Sequence, residues 1–412
     1  MAVTEQVVWM MLAWSLLSSI LCLFSSVSAL NADGVPVDAK ALKSSRCTNP
    51  SIRKEWRALS PDEQADWIAA VNCLSHVPHD PNVAGTVARD ISQIPALTND
   101  SSLYDDFVYL HMDLNIKIHW TGYFLPWHRL LGFKFERALQ DYCGYAGTQP
   151  YWNWTQDAYQ FANSTMWDED PVSGLGPITG DEDNDFSLST GGFSNLTLAY
   201  PSEHIVRRNL TLQPFLVLGN LWPDNPDEQL CVLGCSIFYI CLIRTIYRDY
   251  YQYVDWMFAP EYVQSTVVDN VNYTGDFKAF QYFLEGPKGP HGPPHWLPGG
   301  DSSSLCNKNY TECGAGGPKW SNNDPLFYLH HAMIDKLYWE WQNKDPSNFY
   351  AFEGGSVQKL STWAEYVQYP NGAAPWLNLN STIPGDGMWD TENITIWDVI
   401  DIQSGILCYD YE

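Results

Sequence analysis

The sequence predicts a mainly α-helical protein with long connecting loops. Helix starts are written in capping residues, apolar side chains after them recur at helical spacing, and the segments between are dense in glycine and proline. Ser60 and Glu63 form a capping-box pattern with Pro61 at the first helical position. The helix they open carries Trp67, Ile68, Ala70, Val71 and Leu74. Residues 99–104 read as a loop, after which Phe107, Leu110 and Leu114 give a helical face around His111. Pro126 opens a further helix, Trp127 to Leu139, that ends near Cys143 and Gly144. Gly132 inside it costs about 1 kcal/mol against alanine, or admits a closely packed neighbour. Residues 166–194 are acidic and rich in Gly, Pro and Ser, the composition of a long surface loop. Residues 286–318 form a second Gly- and Pro-dense loop containing two histidines. Asp324 and Pro325 then suit the start of a helix with Phe327, Ile334, Leu337 and Trp341 at apolar spacing. Into that face the chain sets His330 and His331, with Asp335 one turn beyond His331.

With 412 residues, 45% of them hydrophobic, the chain is long enough for a large core in one or two domains. A net charge of -26 argues against nucleic acid and anionic membranes as partners. Residues 7–29 are an apolar run closing on Val27-Ser28-Ala29, a small-x-small cleavage pattern. The run departs from the usual secretory signal in its leading segment, which has Glu5 and no Lys or Arg. The expected organisation is a signal peptide over 1–29 and a single functional domain over 30–412, secreted and without a membrane span once the signal is cleaved. Of ten cysteines, cleavage would remove Cys22 and leave nine, an odd count with at least one thiol outside intrachain pairs. Sequons at Asn99, Asn153, Asn163, Asn195, Asn209, Asn272, Asn309, Asn380 and Asn393 support a glycosylated secreted protein. Residues 230–243 form an apolar stretch with three cysteines, too short for a bilayer and at no common zinc spacing.

Ten histidines punctuate the chain, and three groups stand out. His111, His119 and His128 lie within eighteen positions. His291 and His295 are four apart, on one face if the segment is helical, although Pro293 and Pro294 lie between them. His295 is therefore expected to begin or end a helical turn. His331 completes a second set of three. Two imidazole triads without cysteine or carboxylate at fixed spacing suit copper or zinc. A carboxylate-bridged di-iron bundle would want paired Glu-x-x-His signatures, and a zinc protease His-Glu-x-x-His; neither is present among these elements. His76, His79 and His204 fit no ligand spacing.

These residues resemble a known family. His119-x4-Phe124-Leu125-Pro126-Trp127-His128-Arg129, with Glu136 seven residues on, is similar to the first copper signature of tyrosinases and catechol oxidases. Asp324-Pro325-x-Phe327-Tyr328-x-x-His331-x3-Asp335 resembles the second. Pro150-Tyr151-Trp152-Asn153-Trp154 resembles a segment that follows the first site, with Asn153 where the family has Asp. Tyr409-Asp410-Tyr411 resembles the Tyr-x-Tyr close of the catalytic domain. The likeness spans about 47–412 and has the features of a short, fungal-like, secreted polyphenol oxidase.

The resemblance implies an antiparallel four-helix core holding a type-3 dicopper centre, inside long loops with a few short strands. Carried over by position, His111, His119 and His128 would hold one copper, and His291, His295 and His331 the other. His330 falls at a non-ligand position. Arg129, Glu136 and Asp335 read as packing groups, or as groups behind the ligands, that fix imidazole orientation rather than act as acids or bases. The implied activity is oxidation of o-diphenols to o-quinones with O2 as co-substrate and a small phenol as partner; some members also hydroxylate monophenols. Three departures bear on this. Lys117 stands where many members carry a cysteine cross-linked to the following histidine, so that thioether is expected to be absent. Gly292 follows His291 where many tyrosinases have an asparagine that helps deprotonate a monophenol. Glu285, six residues before His291, is the candidate acidic residue of that loop. The chain also stops at Glu412, from which no C-terminal covering domain is expected. Catechol oxidase activity is therefore expected to exceed monophenolase activity. The alternatives are a haemocyanin-like O2-binding protein and a full tyrosinase with strong monophenolase activity. Oligomeric state is not set by these features.

Overall fold

A computed structural model describes residues 47–85, 95–157, 161–210, 273–286, 289–305 and 319–412. The expected signal peptide, the 230–243 stretch, and five of the nine cysteines expected after signal cleavage lie outside the described residues.

Among the described residues helices dominate, with six short strands, as the sequence leads one to expect. Strand β1 (Ser51–Arg53) precedes helix α1 (Pro61–Leu74), which starts at the expected capping box: Glu63 N–H donates to Ser60 Oγ, and Ser60 N–H donates to Glu63. Its buried residues are Trp67, Ile68, Ala70, Val71 and Leu74. Helix α2 (Leu103–Asp113) begins inside the stretch whose composition predicts a loop. Ser102 and Asp105 make a second capping box there, with Asp in the place more often held by Glu. A single turn, α3 (Asn115–Ile118), leads to α4 (Phe124–Cys143). Helix α4 starts two residues before Pro126, which sits in the first turn where its missing N–H leaves no bond unmade. It ends at Gly144, whose φ of 69° is the left-handed C-terminal cap. Gly132 has no heavy atom within 4 Å of where a Cβ would stand, so close approach is not the reason for it.

After a two-stranded hairpin, β2 (Thr197–Leu198) with β3 (His204–Ile205), come α5 (Phe277–Glu285), the short α6 (Gly292–Trp296) and the long α7 (Leu326–Lys344). Strand β4 (Gly355–Val357) then pairs antiparallel with β5 (Ala373–Trp376) around α8 (Trp363–Gln368), and α9 (Ile396–Val399) leads to β6 (Tyr409–Tyr411). Strand β6 returns to lie parallel to β1, Ser51 opposite Tyr409, beside the Cys47–Cys408 disulfide. A second disulfide, Cys73–Cys143, joins the ends of α1 and α4.

Helix α4 packs on α1 and α7. Aromatic stacking fixes these contacts: Phe135 of α4 lies parallel to Tyr328 of α7, and Phe280 of α5 stacks on Trp341 of α7 at 4.5 Å. Trp67, Trp127, Trp152, Trp154, Trp341 and Trp389 are fully buried, so the tryptophan-rich composition builds core. The acidic 166–194 segment exposes its carboxylates but is pinned through buried Leu175, Leu188 and Phe193. Arg208, with no exposure, joins it to the start of α7 by donating to Leu175 C=O and gripping both oxygens of Asp324.

Candidate metal centre

Two histidine clusters face each other between α2, α4, α6 and α7. The first is His111 from the last turn of α2, His119 from the extended residue after α3, and His128 from the start of α4. The second is His291, His295, His330 and His331, from α6 and its N-terminal flank and from α7. In each group one ring nitrogen per histidine lies within 4.8 Å of the others. The clusters touch: the His128 and His331 rings stack at 4.3 Å with 9° between planes, and His119 is 6.0 Å from His291.

Local sequence explains how the imidazoles converge. Pro293 and Pro294 do not prevent a helical turn through His291 and His295, because they occupy its first positions, where backbone N–H groups have no intrahelical partner. The turn puts both side chains on one face, with Nε2 atoms 3.2 Å apart. His331 Nε2 is 3.3 Å from His295 Nε2. In the first cluster each Nδ1 donates to a backbone carbonyl: His111 to Lys319 at 2.8 Å, His119 to Asn115 at 3.2 Å, and His128 to Phe124 at 2.7 Å. That sets the proton on Nδ1 and leaves an Nε2 lone pair facing inward. Nε2 of His111 and of His128 is buried with no protein partner.

Burial pushes every one of these imidazoles toward the neutral form. It lowers His111 to about 4, and it holds His119, His128, His291, His295 and His331 well below the usual range, with neighbouring imidazoles adding to the effect. Neutral rings whose Nε2 lone pairs turn inward in the first cluster, and whose Nε2 atoms converge within 3.3 Å of His295 in the second, fit a cation in each cluster. Phe124 and Phe327 close the space between: Phe124 lies 4.8 Å from His291 and 5.0 Å from His128, and Phe327 lies 4.2 Å from His331 and 5.0 Å from His111. His76, His79 and His204 stand outside both clusters; His204 donates to Asp301 instead.

The surrounding charges take the packing role among those expected of them, not the imidazole-orienting one. Asp335 does not orient an imidazole. Its carboxylate accepts from Arg129 Nε and from the hydroxyls of Tyr409 and Tyr411. Glu136 likewise takes Arg53 Nε and Nη2, and the backbone N–H of Gln149. Arg129 also donates to Gln342 and to the carbonyls of Val399 and Ile400. These groups therefore lock α4, α7, β1 and β6 together, and the imidazoles of the first cluster are oriented by backbone carbonyls. Glu285 is buried, which raises its carboxyl well above the ordinary range. It accepts from the Trp120 N–H at 2.5 Å and from Gln281, which also donates to Thr121 C=O, so it fixes the backbone just after His119. Gly292 faces the Trp296 indole, which a Cβ would meet at 3.2 Å.

Sequence reasoning missed Arg53, Lys319 and Arg208, and placed Trp154 in the 150–154 segment without giving it a role. Trp154 donates its indole N–H to His330 Nδ1 at 3.1 Å. Arg53 and Arg208 carry no motif, and Lys319 contributes only its carbonyl.

Fold and site together define a helical protein with two buried histidine clusters, each able to hold a metal ion. Residues 101–344 match the model of the common central domain of tyrosinase. A tyrosinase-like protein, phomQ1, of Diaporthe leptostromiformis is 30% identical over 373 residues, covering 89% of this chain and 79% of that one. N-acetyl-6-hydroxytryptophan oxidase ivoB of Emericella nidulans is 26% identical, covering 95% of this chain and 100% of the relative. Among solved structures, a polyphenol oxidase variant from Thermothelomyces thermophila superposes with a TM-score of 0.58 at 26% identity, over 91% of this chain and 93% of that one. The chain belongs to the tyrosinase family, whose type-3 dicopper chemistry its two histidine clusters fit.

Proposed function

We propose that this protein is a secreted dicopper oxidase that converts o-diphenols to o-quinones with O2, with weaker monophenol hydroxylation. The observation that carries the reading is the pair of buried histidine triads, with Nε2 of His111 and His128 unpartnered in one and Nε2 of His291 and His331 within 3.3 Å of that of His295 in the other. His111, His119 and His128 would hold one copper, and His291, His295 and His331 the other, inside an antiparallel four-helix core. When bound, the copper pair would supply the two-electron exchange with O2 that phenol oxidation needs.

The chain's own residues supply the rest. Backbone carbonyls of Lys319, Asn115 and Phe124 hold three Nδ1 protons, so those rings are in the tautomer that leaves Nε2 free. Burial keeps all six neutral, and Phe124 and Phe327 exclude water between them. A catechol brings two adjacent hydroxyls. A monophenol has an intrinsic pKa near ~10 and needs a base within hydrogen-bond reach to arrive as phenolate. Glu285 already accepts from Trp120 and Gln281, and Gly292 has no side chain to hold a water, which together favour the diphenol. The name of the ivoB relative describes oxidation of a hydroxylated indole, so bicyclic phenols belong in the substrate panel beside simple catechols. Initial rates on dopamine and tyramine test the preference. Dopamine should be turned over faster, and equal rates would remove it.

The reading includes a signal peptide over 1–29, a catalytic domain over 30–412 and glycosylation. Disulfides Cys47–Cys408 and Cys73–Cys143 suit an oxidising compartment, and the sequon residues Asn99, Asn163, Asn195, Asn380 and Asn393 are exposed. Among the described residues no helix is long and apolar enough to cross a membrane. N-terminal sequencing of the natural protein should begin near Leu30; a start at Met1 would contradict cleavage.

A further inference from the structure

The second cluster has four histidines where a ligand triad needs three. His330 has a ring nitrogen within the same 4.8 Å as those of His291, His295 and His331, and its ring centre is 4.7 Å from that of His295 and 5.0 Å from that of His331. Helix geometry alone does not remove it: its side chain leaves α7 about 100° from that of His331, yet the ring lies against the cluster. Something else must keep it from competing for the metal.

Trp154 is that group. Its indole N–H can only donate, and it donates to His330 Nδ1 at 3.1 Å. A neutral imidazole has one lone pair and one N–H. With Trp154 holding the lone pair at Nδ1, the proton must sit on Nε2, and neither nitrogen is left to bind a cation. The placement is built in. Trp152 N–H donates to the C=O of Leu329, the residue before His330, which docks the 150–154 segment on α7. Trp152 Nε1–H donates to Asp157, closing the turn on which Trp154 sits. Trp154 and His330 are both buried, so water does not compete for the bond.

We propose that Trp154 acts through His330 as a positioning residue for the metal site: by occupying the only lone pair of His330 it makes a four-histidine cluster a three-ligand site. The inference rests on the dicopper reading above.

The test is copper content after loading, with circular dichroism as a check on folding. Unmodified protein should bind two coppers per chain; fewer would defeat the dicopper reading itself, a failure distinct from that of the Trp154 proposal. His331→Ala should bind one, because His330 cannot step in while Trp154 holds it. His331→Ala combined with Trp154→Phe should bind two again, His330 replacing the lost ligand. Two coppers in His331→Ala alone, or one in a folded double variant, would overturn the proposal. Should the double variant not fold, the tautomer itself decides on the unmodified, metal-free chain. In a 1H–15N spectrum of protein labelled at the histidine ring nitrogens, the signals lost in His330→Gln should show Nδ1 unprotonated and Nε2 protonated. The reverse pattern would overturn the proposal.

Discussion

On the proposed reading, Gly292 is the position where adding one side chain should shift the substrate preference most. It follows His291 at the first position of α6, and its lack of a Cβ lets the Trp296 indole lie against the turn. An asparagine there would add a carbonyl able to hold a water beside an arriving phenol. Its Cβ would stand 3.2 Å from the Trp296 ring, which must give by a few tenths of an ångström. Gly292→Asn is expected to raise the tyramine rate relative to dopamine with a modest loss of stability. Rates on the two substrates, with a melting curve on the same sample, check this; an unchanged ratio in a well-folded variant would remove the argument from this position. Residue type is also what makes the site legible in the sequence. Histidines are few, and six of them stand at metal-ligand spacings, so both clusters show in the chain itself. The partners that orient the first cluster do not, since all three are backbone carbonyls, and every residue has one. Asp335, one turn from His331, invites a role in orienting an imidazole, but the Arg129 guanidinium 206 positions away in the chain takes its carboxylate. Spacing within one helix gives no hint of a partner so distant.

At the scale of elements, α4 and α7 each bring histidine to the centre, and one buried network ties them to strand β6. Burial alone would raise the Asp335 carboxyl, but Arg129 and Arg53, with the Tyr409 and Tyr411 hydroxyls, overcome it and hold it below its ordinary value. A carboxyl depressed in the folded state stabilises the fold above its unfolded pKa, near ~4, and loses that contribution as pH falls through the folded value. Asp335→Asn is therefore expected to cost roughly 3–5 kcal/mol near neutral pH, because it leaves Arg129 buried without its counter-charge. The gap to unmodified protein should narrow below pH ~4. Denaturant midpoints at several pH values check both statements; a pH-independent gap would refute the linkage. Gly132 is the opposite case. Nothing packs within 4 Å of its missing Cβ and α4 is regular there, so Gly132→Ala should stabilise by about 1 kcal/mol. A lower melting temperature would show that the glycine serves a purpose beyond its helix. Helix starts marked by Ser-x-x-Glu or an Asp-Pro pair are legible in the sequence. The start of α2 is less so, because its box uses Asp105, and the start of α4 precedes its most visible marker, because Pro126 lies inside the first turn rather than opening it.

For the whole molecule, the chain folds so that strand β6 lies on β1, and both are tied to α4 and α7 through Arg53, Glu136 and Asp335. No periodicity in β1 or β6 announces that pairing; the Tyr409-Asp410-Tyr411 motif marks the strand, and Cys47 with Cys408 closes it. What the assembled scaffold achieves is a buried meeting of two clusters of neutral histidines. That arrangement serves an oxidase or an O2 carrier, and the two differ in whether a phenol reaches it. The measurement that separates them is O2 uptake by copper-loaded protein after addition of 4-tert-butylcatechol. The account predicts sustained uptake with quinone appearing over many turnovers, abolished in His331→Ala. A single O2 taken up per copper pair and nothing further, or no uptake by fully loaded protein, would contradict it.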